Sequence, residues 1–244
     1  MKLNLLKLTV IAVLSFCSFQ TSKAQLFEGL KSVKELAKDP FKAKFSETEA
    51  ANAIKEALTN GVSKGSDFLS KKDGFLKNPE VMIPFPKDAK VVETTLRKVG
   101  LGKQVDDVVT SLNRAAEDAA LSSKDIFVAA VKGMSVKDAI NIVKGNDDAA
   151  TTFLKTQTNE SLKLTFQPII QNSIEKVGAT KHWATAMTSY NKVPFVKKVN
   201  PDLNEYVTLK AIDALFLMIS KEEAIIRKDP MARTSDLLKK VFGK

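Results

Sequence analysis

The residues of this chain that could carry out chemistry are few, and most of them are charged side chains set inside apolar stretches. In Asn113-Arg114-Ala115-Ala116-Glu117, Arg114 and Glu117 are three apart and share one helix face, flanked by alanines that let a neighbour pack closely. Lys210 and Asp213 repeat that spacing in the most apolar stretch after the N-terminus, beside Tyr206. Glu222 and Glu223 follow, with Arg227 and Arg233 near enough in sequence to pair with them. Buried charges need partners, so these groups form either an ion-pair network that fixes helix register or the polar floor of a pocket. As chemistry, the second reading is a hydrolase with Glu222, Glu223 or Glu117 as acid or base beside Arg114 and Arg227.

The competing constellations are weak. His182 is the only histidine, so a histidine-based metal cluster is ruled out, and no Gly-x-Ser-x-Gly elbow accompanies it. Adjacent carboxylates at Asp106-Asp107 and Asp147-Asp148 point about 100° apart on a helix and do not converge on one atom. Gly145-Asn146-Asp147-Asp148 lacks the alternating ligands of a calcium loop; its charges suit a helix N-terminus. Neither a metal site nor a cofactor is expected. Lysines are scattered singly or in pairs, without arginine tracts interleaved with aromatics, so nucleic acid is not an expected partner.

These groups sit on a chain that reads as all-α. Residues 1–24 have the build of a cleaved secretory signal: Lys2 and Lys7, an apolar run to Phe19, and small residues at Ser22 and Ala24 before Gln25. Phe16 precedes Cys17, where a lipidated cysteine wants a small neighbour, so lipid anchoring there is not expected. Export to the periplasm is the expected localisation, with no transmembrane segment after cleavage. Cleavage removes Lys2, Lys7 and Lys23 and lowers the formal net charge from +10 to +7; Cys17, the one cysteine, goes too, leaving no disulfide or thiol chemistry.

Residues 25–45 read as an N-terminal helix, Leu26 to Lys38, and a connector; residues 46–244 read as one helical domain. Ser46-Glu47-Thr48-Glu49 is a capping box opening an amphipathic helix in which Gly61 and Gly65 either admit a close neighbour or weaken the helix. Lys71 to Lys87 is the exception to helical periodicity. Its turn signals, three prolines and alternating Val81, Ile83 and Phe85 predict an extended strap across the body, with Phe75, Ile83, Pro84, Phe85 and Pro86 as its contact residues. The strap either closes one end of the core or acts as a flap over a pocket.

Helical spacing resumes over Lys87 to Val99, Lys103 to Ala120, Ser123 to Met134 and Ser135 to Lys144, the last two with serine caps. Asp147 to Thr158, Glu160 to Val177 and Thr180 to Asn191 follow, with Pro168 expected to kink or split its helix, and Ser235 to Phe242 forms a short final one. The organising element is Pro201 to Asp229. Val207, Leu209, Ala211, Ile212, Ala214, Leu215, Phe216, Leu217, Met218 and Ile219 fall on nearly every side of it, the pattern of a buried helix; the apolar run is too short to cross a bilayer. The expected fold is a single multi-helix bundle around this helix, with the strap.

A resemblance rests on short pieces in a fixed order: Asp73-Gly74-Phe75, Asn78-Pro79, Ile83-Pro84-Phe85-Pro86, Asn113-Arg114-Ala115-Ala116-Glu117, Ala149-Ala150-Thr151, Tyr206-Val207-Thr208, Leu215-Phe216, Glu222-Glu223, Ile226-Arg227, Pro230 and Arg233. Over about residues 50 to 243 the chain resembles an exported bacterial family, domain of unknown function 4197. The resemblance implies an all-helical envelope protein and brings no activity with it. Ala214 departs from the glycine it leads one to expect, adding a methyl where helices or a pocket wall meet. The expected function is non-catalytic: an exported binding or envelope-interaction protein whose partner is an apolar small molecule, such as a lipid held in the helical core, or an anionic envelope surface. The hydrolase is the alternative.

Overall fold

The structure is a computed structural model that describes residues 46–176, 183–184, 187–188, 190–192, 194–195, 197–200, 202–229, 233, 235–236 and 239. The expected signal peptide, the helix Leu26 to Lys38 and its connector, and His182 lie outside the described residues, as do most of Ser235 to Phe242 and part of Thr180 to Asn191.

The fold is all-α: seven helices, α1 (Glu47–Leu69), α2 (Lys90–Lys98), α3 (Gly102–Ala120), α4 (Ser123–Gly133), α5 (Val136–Lys144), α6 (Ala149–Lys176) and α7 (Leu203–Lys228), are placed in full. No strand occurs among the described residues. Helices α3, α6 and α7 pack on one another, α4 and α5 lie on α6, and α2 rests on α3. The core joins Leu112, Phe127, Leu154, Phe166 and Leu215, each essentially solvent-free. Phe127 meets Phe216 edge to face at 5.7 Å.

The segment expected as two helices, Asp147 to Thr158 and Glu160 to Val177, is the single helix α6. Helical backbone runs unbroken through Asn159, and the Thr158 hydroxyl is accommodated within it by donating to the Leu154 carbonyl at 2.7 Å. Pro168 does not split it. The hydrogen bond it lacks would run to the carbonyl of Leu164, and both residues are exposed, so water can take the partner's place.

The buried residues of α6 recur every fourth position: Ala150, Leu154, Thr158, Leu162, Phe166, Ile170 and Ile174. Because a turn takes 3.6 residues, that stripe drifts by about 40° per step. It winds around the helix. One continuous helix can therefore serve several neighbours along its length.

Gly61 and Gly65 admit a close neighbour. A Cβ added at Gly65 would lie 3.3 Å from the Met218 Cβ, and one at Gly61 3.4 Å from the Glu222 Cβ, so α1 crosses α7 where glycine removes the bulk. Ser135 is the expected cap of α5, with its Oγ accepting from the Asp138 N–H at 3.1 Å and the Asp138 carboxylate accepting from the Ser135 N–H at 3.0 Å. Ser123 is not a cap. It lies within α4, fully buried, where its hydroxyl donates to the Ala120 carbonyl and meets the Ser66 hydroxyl of α1 at 2.7 Å.

The strap is extended only near its end. From Lys71 to Val81 it is a chain of turns, and residues 82–84 then run straight before a 3-10 turn at Lys87–Ala89. Asp73 has φ of +71°, a conformation aspartate tolerates better than most side chains. A Cβ at Gly74 would lie 2.6 Å from the Phe68 carbonyl oxygen, so only glycine lets the strap leave α1 so closely. The predicted alternation holds as far as Phe85: Val81, Ile83 and Phe85 are buried, Met82 and Pro84 exposed, but Pro86, expected to face outward, is buried as well, where the chain turns into the 3-10 segment.

Helix α7 differs from its expected all-round burial on one side. Leu203, Val207, Ala211, Leu215 and Ile219 face the core, whereas Leu209, Lys210, Asp213 and Leu217 are exposed. The helix has two apolar faces, one in the core and one that opens onto a groove.

Candidate functional site

The charged and polar residues singled out in the sequence are brought to three separate places. The first is a clamp on the strap. The Asn113 amide of α3 accepts the Ile83 N–H at 2.8 Å and donates to the Ile83 carbonyl at 2.8 Å, so one side chain completes the backbone of an extended residue as a neighbouring strand would. Its Nδ2 also donates to the Val109 carbonyl within α3 at 2.8 Å. One turn on, Glu117 Oε1 accepts the N–H groups of Phe75 and Leu76 at 3.1 and 3.3 Å, while Oε2 receives Arg114 at 2.5 Å.

Arg114 also reaches Asp73 at 2.6 Å, and Lys77 closes on the other Asp73 oxygen at 2.9 Å. The hydrogen bond from Arg114, then that from Lys77, lowers the Asp73 pKa below its ordinary 3.8. Asp73, then Glu117, correspondingly raise the Arg114 pKa. From α7, the Tyr206 hydroxyl donates to the Pro84 carbonyl at 3.1 Å, and burial raises its pKa above 10, keeping it a donor.

The second place is the start of α6. Glu223 Oε1 accepts from the Ala150 N–H at 3.0 Å, and Oε2 accepts from the Thr151 N–H and hydroxyl at 2.9 and 2.7 Å. Arg227 holds the same carboxylate at 2.8 Å and donates to the Ile142 carbonyl of α5 at 3.0 Å. Glu223 thus supplies the negative charge that the helix N-terminus favours, from another helix. Asp147 and Asp148, the residues expected to do so, stand exposed just before Ala149, so Glu223 adds a buried charge to theirs. Arg233 ties the chain beyond α7 to the carbonyls of Ile226 and Arg227 at 3.1 and 2.9 Å. Glu222 points elsewhere, to Lys64 at 3.4 Å. The cavity beside this cluster is about 20 Å³, room for about one water.

The third place is the groove, of about 700 Å³, between the strap and the outer face of α7. Its floor is Tyr206, Leu209, Lys210, Asp213 and Leu217, with Val81, Met82, Pro84 and Pro86 on the strap side. The strap runs antiparallel to α7, because Glu80 pairs with Lys221 and Pro84 with Tyr206; Asp88 then pairs with Lys197 in the segment leading into the helix. Leu209, Leu217 and Met82 are 44, 37 and 41% exposed, a group of large apolar side chains facing solvent together.

Among the ten polar and charged candidates, Tyr206, Lys210 and Asp213 therefore line the groove. Asn113, Arg114 and Glu117 stand behind the strap, and Glu223, Arg227 and Arg233 lock α6 and the chain end. Of the five strap residues, Pro84 and Pro86 line the groove, while Phe75, Ile83 and Phe85 are core, the last against Trp183 at 5.0 Å. The expected pairing of Lys210 with Asp213 is not formed; both are exposed, and no ion pair joins them among the described residues. Leu209 and Leu217, expected in the core, are instead exposed on the groove floor, and neither Met82 nor Asp73 is among the expected site residues. The available sign of the groove was that α7 is apolar on more sides than one core contact uses.

No helix among the described residues is long and apolar enough to cross a membrane, and no group of three or more His, Cys, Asp or Glu side chains there could hold a metal ion. No curated protein and no solved structure matches the chain. The model of the family described as protein of unknown function (DUF4197) matches residues 44–243, the span that holds the clamp, the α6 lock and the groove, and the chain belongs to that family.

Proposed function

We propose that this is a non-catalytic, exported binding protein of the cell envelope whose ligand, an amphipathic molecule, lies in the groove between the strap and α7 rather than within the helical core. The observation that carries this reading is the outer face of α7, where Leu209 and Leu217 remain exposed opposite the strap while the other face of the helix lies in the core. The volume falls within the range of about 300–1,000 Å³ common for small-molecule sites. Export rests on the N-terminal sequence pattern, and the chain's basic excess would favour an anionic envelope surface.

The hydrolase reading is disfavoured by how two of its three carboxylates are used; the third, Glu222, pairs among the described residues only with Lys64 at 3.4 Å and stands beside a cavity with room for about one water and no substrate. A general acid or base must reach substrate with an oxygen free to exchange a proton. Glu117 and Glu223 are buried, and each has both oxygens bonded to backbone N–H groups, an arginine or a threonine. The test is native mass spectrometry of the full protein purified gently from its own envelope, followed by denaturing mass spectrometry. The expected result is an excess of a few hundred daltons, lost on denaturation and absent from a Leu209→Lys, Leu217→Lys variant. Ligand retained by that variant would place binding elsewhere.

A further inference from the structure

Given that the groove is the binding site, the reading on which this inference rests, its floor is more selective than a plain apolar surface. Helix α7 places Leu209, Asp213 and Leu217 one above the next, four residues apart. Each step rises about 6 Å along the helix axis. In an extended peptide, side chains on one face repeat every second residue, about 6.6 Å apart. The two periods match over three positions. The strap already shows that an extended backbone can lie along this helix.

The charge at the middle position selects among ligands. Asp213 has no ion pair or hydrogen bond among the described residues, and apolar side chains stand one turn to either side of it. A plain alkyl chain laid along the floor would strip water from that carboxylate and return nothing. A cationic side chain between two apolar ones would pair with it. The rest of the lining agrees more weakly: with Glu80 and Asp88 neutralised by Lys221 and Lys197, Asp202, Glu205 and Asp213 stand against Lys87 and Lys210, an excess of one negative charge on a chain of net charge +10. Glu80 and Asp88 have lysine partners at the two ends, which leaves Asp213, among the described residues, as the free acidic charge at the centre of the floor.

We infer that the groove binds an extended polypeptide segment of the pattern apolar-x-basic-x-apolar, with its basic side chain on Asp213 and its apolar side chains on Leu209 and Leu217. The test uses the full protein and two fluorescein-labelled peptides, Leu-Thr-Lys-Thr-Leu and Leu-Thr-Glu-Thr-Leu, followed by fluorescence anisotropy at low and at about 0.5 M salt. The lysine peptide is expected to bind about fivefold more tightly than its glutamate counterpart at low salt, with the difference shrinking at high salt. Asp213→Lys is expected to reverse the preference. Because Asp213 is exposed, that variant should melt as the parent does, which circular dichroism checks.

Equal affinities for the two peptides, or a preference that Asp213→Lys leaves unchanged, would overturn the inference. A third probe, dodecyl maltoside, separates it from the reading on which it rests. If neither peptide binds while the detergent does, and Leu217→Lys abolishes that binding, the groove is an alkyl site and the peptide inference fails alone. If none of the three binds, both fail.

Discussion

At the level of single residues, the polar groups that look most like catalytic machinery are those that complete backbone hydrogen bonding where no regular structure can. Ile83 is buried in a segment with no partner strand, so its N–H and carbonyl would be unsatisfied without Asn113. Asn113→Ala is therefore expected to cost about 2–5 kcal/mol, from two orphaned backbone groups, measured by urea unfolding. A loss below about 0.5 kcal/mol would mean that the strap finds other partners.

Asp73 has a pH signature. Its folded pKa is depressed, by the Arg114 hydrogen bond first, so its contribution is present above the ordinary 3.8 and is lost as pH falls through the lower folded value. The melting-temperature difference between the protein and Asp73→Asn should stay constant from about pH 7 to 5 and shrink below about pH 4. A difference that vanished by about pH 5.5 would contradict the assigned clamp.

Among the elements, the decisive contacts are those that let helices approach or cap one another. Helix α1 reaches α7 through Gly61 and Gly65, and Gly65→Leu would drive a side chain into Met218 at a point where even a Cβ sits at 3.3 Å. The expected cost is about 1–3 kcal/mol from overpacking, read from the unfolding midpoint. No loss would show that α1 can shift without penalty. Helix α6 depends on Glu223 in a different sense. Its first free N–H groups are satisfied by a carboxylate 72 or more residues away, so its start is a tertiary feature and not a local cap.

Across the whole molecule, α7 divides its two faces between stability and the groove. Leu215 is 1% exposed and Leu217 37%, only two residues apart. Leu215→Ala should cost about 2–5 kcal/mol by calorimetry or chemical unfolding. Leu217→Ala should cost well under half of that, because its cavity opens to solvent. Equal losses would mean that the groove face is also core.

The sequence by itself determined the helical class, the strap's position and most of its inward-facing residues, the serine cap of α5 and the central place of α7, because each follows from local spacing or turn chemistry. Short patterns such as Asn113-Arg114-Ala115-Ala116-Glu117 also marked the polar residues that matter. Tertiary structure decided what those residues do. Glu223 meets Ala150 and Thr151, and Asn113 meets Ile83, only after helices distant in the chain have packed. It also decided which apolar face of α7 would be covered. Hydrophobic periodicity records that a face is apolar, but not whether a neighbour arrives to bury it. On α7 the strap crosses beside Tyr206, Leu209 and Leu217 without closing over them, and that leaves the groove.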